Sequence, residues 1–508
     1  MMKVLLAGYN VDAQVLRQLQ EQAGQRQDLT PEVLSAAYAR ISRDPRPIDE
    51  IRKDARDEVE QSRKSNKTII FKMGHHSVAE HAVFNLDILG VSRLAMEEIE
   101  KFRLSSYTEK SQRYITLDKG FVIPEEIKEA GFQDIFTGMV FKQNEAYVNL
   151  FEKLKIHVFK KHKELAGNSK NHNLLLGWAK EDARYITSLS TESQVGQTIN
   201  ARSLELSLRR FASHPLTEVR RLGELIYEQI VEIAPSIILF YQANDFDSKT
   251  YPQLKELAEE IIAESGIYIL PPHQEVQLVE FTSGGDIVVA ASLLHASTSF
   301  PYQQCLDSVR NLSQENLMRI FKTAWSNLQF YDSLPREFEY VNLTFNIVLS
   351  AACFGQLKRH RMATLTSQPY NPQLGITVPE SIKEIGMEEY FREIVEKTNE
   401  VYNVIYKEVP LAAPYILTNA HRRQVLMRVN ARELYHISRL RQDSHAQWDI
   451  QRISQVMVSE AKRVMPLTFA LTGGKDKYNQ IYQNIYGKLP KVTQTVLPAA
   501  RNIKKKNK

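Results

Sequence analysis

Two spacings of apolar residues alternate along the chain, and each predicts a different element. In Leu254–Ser265 and Glu433–Met457 apolar side chains recur three and four residues apart, which is typical of amphipathic helices. Val83–Leu89 and Val276–Phe281 are alternating or continuously apolar, as strands are, and the apolar run in MMKVLLAGYN predicts a first strand. Gly and Pro number only 20 and 19, which favours long helices. The pattern predicts a helix-rich α+β protein.

The chain contains an internal duplication, because three segments recur in the same order. Arg103 aligns with Arg361, 258 residues later, and Asn200 aligns with Asn430, 230 residues later. The matching pairs are SAAYARIS (35–42) with VAASLLHAS (289–297), residues 99–114 with 357–372, and residues 199–222 with 429–453.

The length of the chain also favours two domains. A single hydrophobic core stops growing at about 250–300 residues, and this chain has 508. We expect a first domain at residues 1–245, a linker at 246–272 and a second, homologous domain at 273–508. Each domain is expected to be rich in helix around a central mixed or antiparallel sheet.

Composition excludes several classes of protein. No apolar run approaches the roughly 18 residues that a membrane span needs, and Cys305 and Cys353 are too few for a disulfide framework and lack metal-ligand spacing. A cytoplasmic protein without a metal site is therefore expected. The net charge is +5, part of it in the terminal KKKNK, which we expect to be solvated. Nucleic-acid binding is not expected.

The segment GHHSVAEH, residues 74–81, brings three histidines close to a glutamate. It is not the zinc-binding pattern HExxH, because Glu80 does not directly follow the first histidine. The structural alternative is a pair of buried, hydrogen-bonded histidines, His75 and His81.

A basic run, Lys358-Arg359-His360-Arg361, follows an apolar stretch. Like charges folded close together repel, so an anion between them is favoured, and the planar fork of arginine suits phosphate. The alternative is a solvated basic face at the end of a helix.

Two further motifs are candidates for functional residues. Residues 109–114, EKSQRY, join a carboxylate, a hydroxyl, cations and an aromatic ring, which together suit a base, a sugar and a phosphate. The tripeptide Asn-Ala-Arg begins at Asn200 and again at Asn430, and both asparagines are alternatively explained as helix caps.

In this order the motifs resemble the flavin-dependent thymidylate synthase family. Its signature is Arg-His-Arg followed by seven residues and a Ser, with His-x-Ser-Val-x-Glu-His before it and an Asn-Ala-Arg helix after it. The first repeat carries the segments 75–81, 90–93, 101–103, 111–114 and 200–202, and the second carries Arg359-His360-Arg361, Asn430-Ala431-Arg432, His436, Arg441 and residues 446–450.

Each repeat alone departs from the family pattern. The first has Lys101-Phe102 in place of Arg-His, and strict register puts Phe211 opposite Arg441, whereas a one-residue gap would put Arg210 there. In the family the deoxyuridylate (dUMP) site lies between two subunits, so the resemblance implies one complete site per chain. Its residues are Gln356, Arg359 and Arg441 from the second repeat with Glu109, Ser111, Arg113 and Arg184 from the first. The reciprocal site, with Glu98, Lys101, Ser367, Pro369, Asn371 and Pro414, has lost nearly every required group.

The resemblance implies a methyltransferase that converts dUMP to thymidylate (dTMP). FAD would be the cofactor, and methylenetetrahydrofolate and NADPH the co-substrates. Arg441 would be catalytic, because a nearby cation stabilises a base ionised at N3, and Arg113 and Arg184 would hold the phosphate. The candidate FAD residues are Ser77, Asn200, Arg202, Arg359, His360, Arg361, Asn430, Arg432 and His436.

The family is usually a homotetramer, so a fused chain predicts a homodimer equivalent to four domains. Two alternatives stay open. One is a non-catalytic flavin- and nucleotide-binding protein of the same fold, and the other is a basic RNA-binding protein, which the absence of an aromatic stacking motif disfavours.

Overall fold

The computed structural model describes residues 2–9, 30–40, 44–46, 48–113, 120–266 and 274–491. By their contacts, residues 1–272, 349–361 and 369–423 form one compact unit, the first unit. Residues 273–348, 362–368 and 424–508 form the second unit. Segments of both sequence repeats therefore contribute to the first unit, and the predicted repeat boundaries at 245 and 273 stay a prediction.

Strands and helices recur in the same order in the two repeats. The strands are β1 (Lys3–Tyr9), β2 (Val83–Ser92), β3 (Ser105–Glu109), β4 (Glu192–Asn200), β5 (Val276–Phe281), β6 (Asn342–Ser350), β7 (Thr364–Ser367) and β8 (Arg422–Asn430). The α-helices up to the second repeat are α1 (Pro31–Arg40), α2 (Ile48–Asp57), α3 (Val59–Asn66), α4 (Arg93–Ile99), α5 (Glu125–Glu129), α6 (Gln133–Lys161), α7 (Lys163–Ala166), α8 (His172–Ala183), α9 (Ala201–Ala212), α10 (Thr217–Ile230) and α11 (Asp245–Ser265). Those of the second repeat are α12 (Gly285–Ala296), α13 (Tyr302–Arg310), α14 (Gln314–Trp325), α15 (Ala351–Leu357), α16 (Glu380–Glu384), α17 (Glu388–Glu408), α18 (Ala431–Arg441), α19 (Trp448–Val464) and α20 (Tyr478–Tyr486).

Each repeat contains a four-stranded sheet, and the two sheets share one strand order. The orders are β1-β2-β4-β3 and β5-β6-β8-β7, and both sheets are antiparallel. Alternate residues of β2, namely Phe84, Leu86 and Ile88, are buried, as the period of two in a strand requires. The predicted α+β class with two homologous, helix-rich repeats is confirmed.

The local predictions from apolar spacing hold with one interruption. Val83–Leu89 lies in β2, Val276–Phe281 forms β5, and Leu254–Ser265 lies in α11. The segment Glu433–Met457 is divided between α18 and α19, because Gln447 accepts hydrogen bonds from two backbone N–H groups and starts a new helix. The lysine-rich tail, Tyr114 and residues 267–272 of the predicted linker lie outside the described residues.

Two stretches of the first unit pair with each other in a self-complementary way. The Leu189 N–H donates to the Leu417 carbonyl at 2.8 Å, and the Asn419 N–H donates to the Thr187 carbonyl at 2.9 Å. Leu189 aligns with Asn419 and Thr187 with Leu417 at the 230-residue offset, so each bond is the counterpart of the other. Such reciprocity is what two-fold symmetry produces. Within the first unit, these segments of the two repeats therefore pair as the subunits of a symmetric dimer would.

The helices that carry the site begin in the same way in both repeats. Ser92 caps α4 by accepting from the Ala95 N–H, and Ser350 caps α15 by accepting from the Cys353 N–H. None of the described helices is long and apolar enough to cross a membrane.

Candidate functional site

Glu109 ends β3, and its carboxylate is held by two arginines, one from each repeat. Arg93 Nη1 lies 3.3 Å from Oε1, and Arg359 Nη2 donates to Oε2 at 3.2 Å. The side chain of Arg93 is 6% exposed and that of Arg359 is 44% exposed. Burial acts to raise the pKa of Glu109, but the neighbouring cations, Arg93 foremost, outweigh it and lower that pKa. The carboxylate is therefore ionised between a buried and a half-exposed cation.

A small cavity in the first unit opens beside this carboxylate. Its volume is about 20 Å³, which is room for one water-sized group. Both repeats contribute to its wall, which consists of Arg93, Glu109, Lys110, Ser111, Gln112 and Arg184 from the first repeat and Ala352, Gly355, Gln356 and Arg359 from the second. Five of the seven predicted nucleotide residues thus line one cavity.

Arg184 is a buried cation whose guanidinium is incompletely bonded. Its Nε donates to the Glu181 carbonyl at 3.2 Å, whereas its buried Nη2 has no hydrogen-bond partner. Burial lowers the pKa of Arg184, and the negative charge of Glu181 opposes that shift. Glu181 also forms an ion pair with Arg113, the sixth predicted residue. This corner carries two cations and one carboxylate, so it favours an additional anion.

Two residues of the basic run that follows α15, Lys358 and Arg359, form ion pairs with carboxylates of the protein itself. Lys358 Nζ lies 2.9 Å from Glu100 Oε2, and both side chains are buried. His360 is also buried, whereas Arg361 donates to the Arg103 carbonyl at 3.1 Å near the surface. The alternative of a solvated basic face is therefore wrong for Lys358 and His360.

The equivalent place on the reciprocal side of the first unit is filled by a buried network. Tyr370 donates its hydroxyl to Glu97 Oε1 at 2.6 Å, and Arg423 donates to Glu97 Oε2 at 2.5 Å. The Arg423 guanidinium also lies over the Tyr370 ring, 4.2 Å from its centroid. Glu97 aligns with Gly355 and Tyr370 with Gln112, so large side chains take positions that border the cavity in the other copy.

A second pair of substitutions in the first repeat packs together. Phe102, which stands at the signature histidine, contacts Phe211 edge to face at a centroid distance of 5.8 Å. Helices α9 and α18 run uninterrupted from their caps, Asn200 and Asn430, so Phe211 and not Arg210 is the counterpart of Arg441.

The remaining predicted residues of the reciprocal site are engaged elsewhere. Lys101 forms a surface ion pair with Glu98 at 2.5 Å, Asn371 caps a short 3-10 helix, and Pro414 is buried in another. Ser367 lies in β7 and Pro369 follows it.

The second unit has a cavity of its own, about 440 Å³ in volume, lined by two of the predicted FAD residues. Arg432 lies on one side, where it donates to the Leu334 carbonyl at 2.7 Å and to Glu339 at 3.2 Å. His436 follows one helical turn later and is exposed. The wall consists of Phe330, Tyr331, Asp332, Ser333, Leu334, Arg432, Glu433, Tyr435, His436, Arg439, Leu440 and Lys475.

The predicted FAD residues of the first repeat lie on the surface of the first unit. Residues 76–81 form a 3-10 helix in which Ser77 and His81 are exposed, and His75 before it is exposed too. The alternative of a buried histidine pair is therefore wrong, because Ala79 is the residue that this turn buries. Arg202 pairs with Glu80 at 2.6 Å.

Asn200 and Asn430 cap their helices through Oδ1, at 2.9 and 2.8 Å from the Ser203 and Glu433 N–H groups. Arg441 ends α18 in the second unit, half-buried.

Arg93 is a residue of this site for which the sequence predicted no role. It stands where the second repeat has Ala351, and that difference between the two copies is the sequence signal that distinguishes it.

The shared strand order of the two sheets and the internal sequence repeats define a protein made of two fused homologous copies. A family model described as thymidylate synthase complementing protein matches residues 26–236 and 277–467, which is more than half of the chain. The chain therefore belongs to this family, the flavin-dependent thymidylate synthases.

Relatives match the chain in two ways. A UPF0159 protein of Chlamydia pneumoniae is 24% identical over 82% of this chain and 81% of its own, and a UPF0159 protein of Thermoplasma acidophilum is 22% identical over 85% and 92%. A flavin-dependent thymidylate synthase of Clostridium tetani is 29% identical over 41% of this chain and 82% of its own. Among solved structures, a UMP/dUMP methylase from Streptomyces cacaoi aligns at 17% identity with a TM-score of 0.33, covering 47% of this chain and 93% of that one.

Proposed function

We propose that the chain is a thymidylate synthase that converts dUMP to dTMP through one composite site per chain, with FAD as cofactor. Methylenetetrahydrofolate would donate the carbon and NADPH would be the reductant. Family membership supports the reaction class. The observation that carries the composite site is the convergence of Ser111 and Arg184 from one repeat with Gln356 and Arg359 from the other.

The state of Arg184 supports a phosphate at this site. A buried donor without a partner costs about 1–3 kcal/mol, and more when it is charged, and Arg184 Nη2 is such a donor. A phosphate oxygen in the adjoining cavity of about 20 Å³ would complete it. Arg113 and Arg184 would then bind the phosphate, while Gln356 and the half-exposed Arg359 would contact the rest of the nucleotide.

The filled reciprocal side supports a single site per chain. Glu97, Tyr370 and Arg423 satisfy one another and are buried. The buried arginine of this side is therefore paired with a carboxylate, unlike the Nη2 group of Arg184. The Phe102–Phe211 contact replaces polar groups of the family pattern with apolar packing. The losses therefore concentrate on one side, as a division of labour between the repeats requires.

The cavity of the second unit suits part of a flavin dinucleotide. Its volume of about 440 Å³ is in the usual range for ligand pockets. Aromatic and basic groups share its wall, and Arg439 Nη2 is buried without a hydrogen-bond partner. Arg432 and His436 would help to hold FAD, which would supply the redox chemistry when bound. Arg441 would stabilise the uracil ring ionised at N3.

Purified protein tests this proposal through its visible spectrum and through tritium release from C5-labelled dUMP. We expect yellow protein and release that requires methylenetetrahydrofolate and NADPH. Release should be lost in Arg359→Met and kept in Lys101→Met, the same position of the other repeat. Yellow protein without release would favour the non-catalytic flavin-binding alternative, and colourless protein without release would contradict both.

A further inference from the structure

Arg93 is a buried cation at the start of α4, where a helix does not favour positive charge. The N-terminal end of a helix carries partial positive charge, so an arginine in the first turn needs another reason. Arg93 is 5% exposed, and its side chain turns to Glu109. Burial opposes its charge, but Glu109 and other nearby acidic groups outweigh that effect and raise the pKa of Arg93.

The guanidinium of Arg93 occupies space that only glycine leaves open. A Cβ on Gly355 would lie 2.1 Å from Arg93 Nη2, which is too close for any real contact. The repeats differ in a complementary way at these positions. Ala351 aligns with Arg93, and Glu97 aligns with Gly355. The side that carries the proposed composite site thus has a buried arginine opposite a glycine. The reciprocal side has neither.

Arg93 and Arg359 hold the same carboxylate but differ in exposure. Arg359 is half-exposed and lines the cavity, so it can turn toward a ligand. If Arg359 were the sole partner of Glu109, this movement would leave a buried carboxylate without a cation. An unpaired buried charge is costly in free energy. Arg93 keeps Oε1 paired at 3.3 Å.

We propose that Arg93 is a positioning residue of the nucleotide site, with its guanidinium seated opposite Gly355 to fix the Glu109 carboxylate while Arg359 engages the nucleotide. This inference rests on the proposed function. It predicts that Arg93 and Gly355 act on nucleotide binding as one unit.

Calorimetric titration of the full-length chain with dUMP tests the coupling. Arg93→Met should weaken dUMP binding roughly ten- to hundredfold, as loss of a buried charge-assisted bond does. Gly355→Ala should weaken it by a similar factor, because the new Cβ displaces the guanidinium although no charge is removed. In the Arg93→Met background, Gly355→Ala should have no further effect, since shared contacts make substitutions non-additive.

Two controls separate positioning from folding. Gly138→Ala, on an exposed helix position with open space around it, should bind dUMP as the wild type does. Arg93→Lys, which keeps the cation, should recover part of the affinity that Arg93→Met loses, and the melting temperature of each variant shows that it is folded. If the wild type binds dUMP and Gly355→Ala binds it with the same affinity, this inference is overturned while the proposed function stands. Additive effects of the two substitutions would have the same meaning. A wild type that does not bind dUMP would overturn it together with the proposed function.

Discussion

Arg184 is a buried cation with an incomplete set of hydrogen bonds, so it is expected to affect both the stability of the protein and the binding of an anion. Its Nη2 is buried without a partner, and burial lowers its pKa. Arg423 offers the opposite case in the same unit, because Glu97 and two aromatic rings surround it. Removal of these two arginines should therefore have opposite consequences.

Arg184→Met should leave the melting temperature of the ligand-free protein unchanged or raise it, while dUMP affinity falls at least about tenfold. Apolar groups of similar volume often replace poorly compensated buried charges without loss of stability. Arg423→Met should lower the melting temperature, because the buried Glu97 would lose its ion-pair partner, and should spare dUMP affinity. Thermal melts and titrations of both variants check this prediction. A destabilised Arg184→Met that binds dUMP normally would contradict it.

Ser111 and Arg441 belong to the composite site in our proposal, whereas Lys101 and Asn371 belong to the reciprocal side. Ser111→Ala and Arg441→Ala should each abolish tritium release from labelled dUMP. Lys101→Ala and Asn371→Ala should change it little, because a surface ion pair and a local cap engage those side chains. The reverse order of effects would contradict a single site.

At the scale of the element, the two asparagine-capped helices show why a motif can have two roles. Asn200 caps α9 through Oδ1, so its structural role stands whether or not a flavin contacts it. Asn200→Ala should lower the free energy of unfolding by about 1 kcal/mol, and Asn200→Ser should retain most of it. Urea denaturation measures both values. Equal stability of the wild type and Asn200→Ala would contradict the capping role.

His421 precedes β8 and should make the fold sensitive to acid. Its Nδ1 accepts the Thr418 N–H at 2.9 Å, so the ring proton is on Nε2 and is donated to Asn399 at 2.9 Å. Burial lowers the pKa of His421 from 6.5 to about 4. Between pH 6.5 and about 4, His421 is therefore protonated in the unfolded chain but stays neutral in the folded chain.

Stability should therefore be complete above pH 6.5 and should fall by about 3 kcal/mol as the pH drops toward 4. Urea midpoints measured at several pH values should show this loss, and His421→Gln should flatten it. An equally steep loss in His421→Gln would assign the acid sensitivity to other groups.

At the scale of the whole molecule, local pattern and duplication could be predicted, but long-range pairing could not. The strands β2 and β5 follow from apolar spacing, and the repeats follow from alignment of Arg103 with Arg361. The pairing of Glu97 with Arg423 joins residues 326 positions apart, and no local pattern encodes it. The same holds for Arg93 and Gly355, whose relation depends on a close approach in space. The sequence could therefore suggest which of the two sites has a complete set of residues, but not that Glu97, Tyr370 and Arg423 occupy the reciprocal one.

The assembly should be a homodimer of this chain, since the family arrangement of four domains needs two fused chains. Size-exclusion chromatography with light scattering should give twice the chain mass of 58.5 kDa. A monomer at micromolar concentration would contradict this assembly.

The number of nucleotides bound per chain tests the central claim most directly. Calorimetric titration with dUMP should give one site per chain in the flavin-loaded protein, and Arg359→Met should abolish it while Lys101→Met leaves it intact. Two equivalent sites per chain, or one site that survives in Arg359→Met and disappears in Lys101→Met, would contradict a division of labour between the repeats.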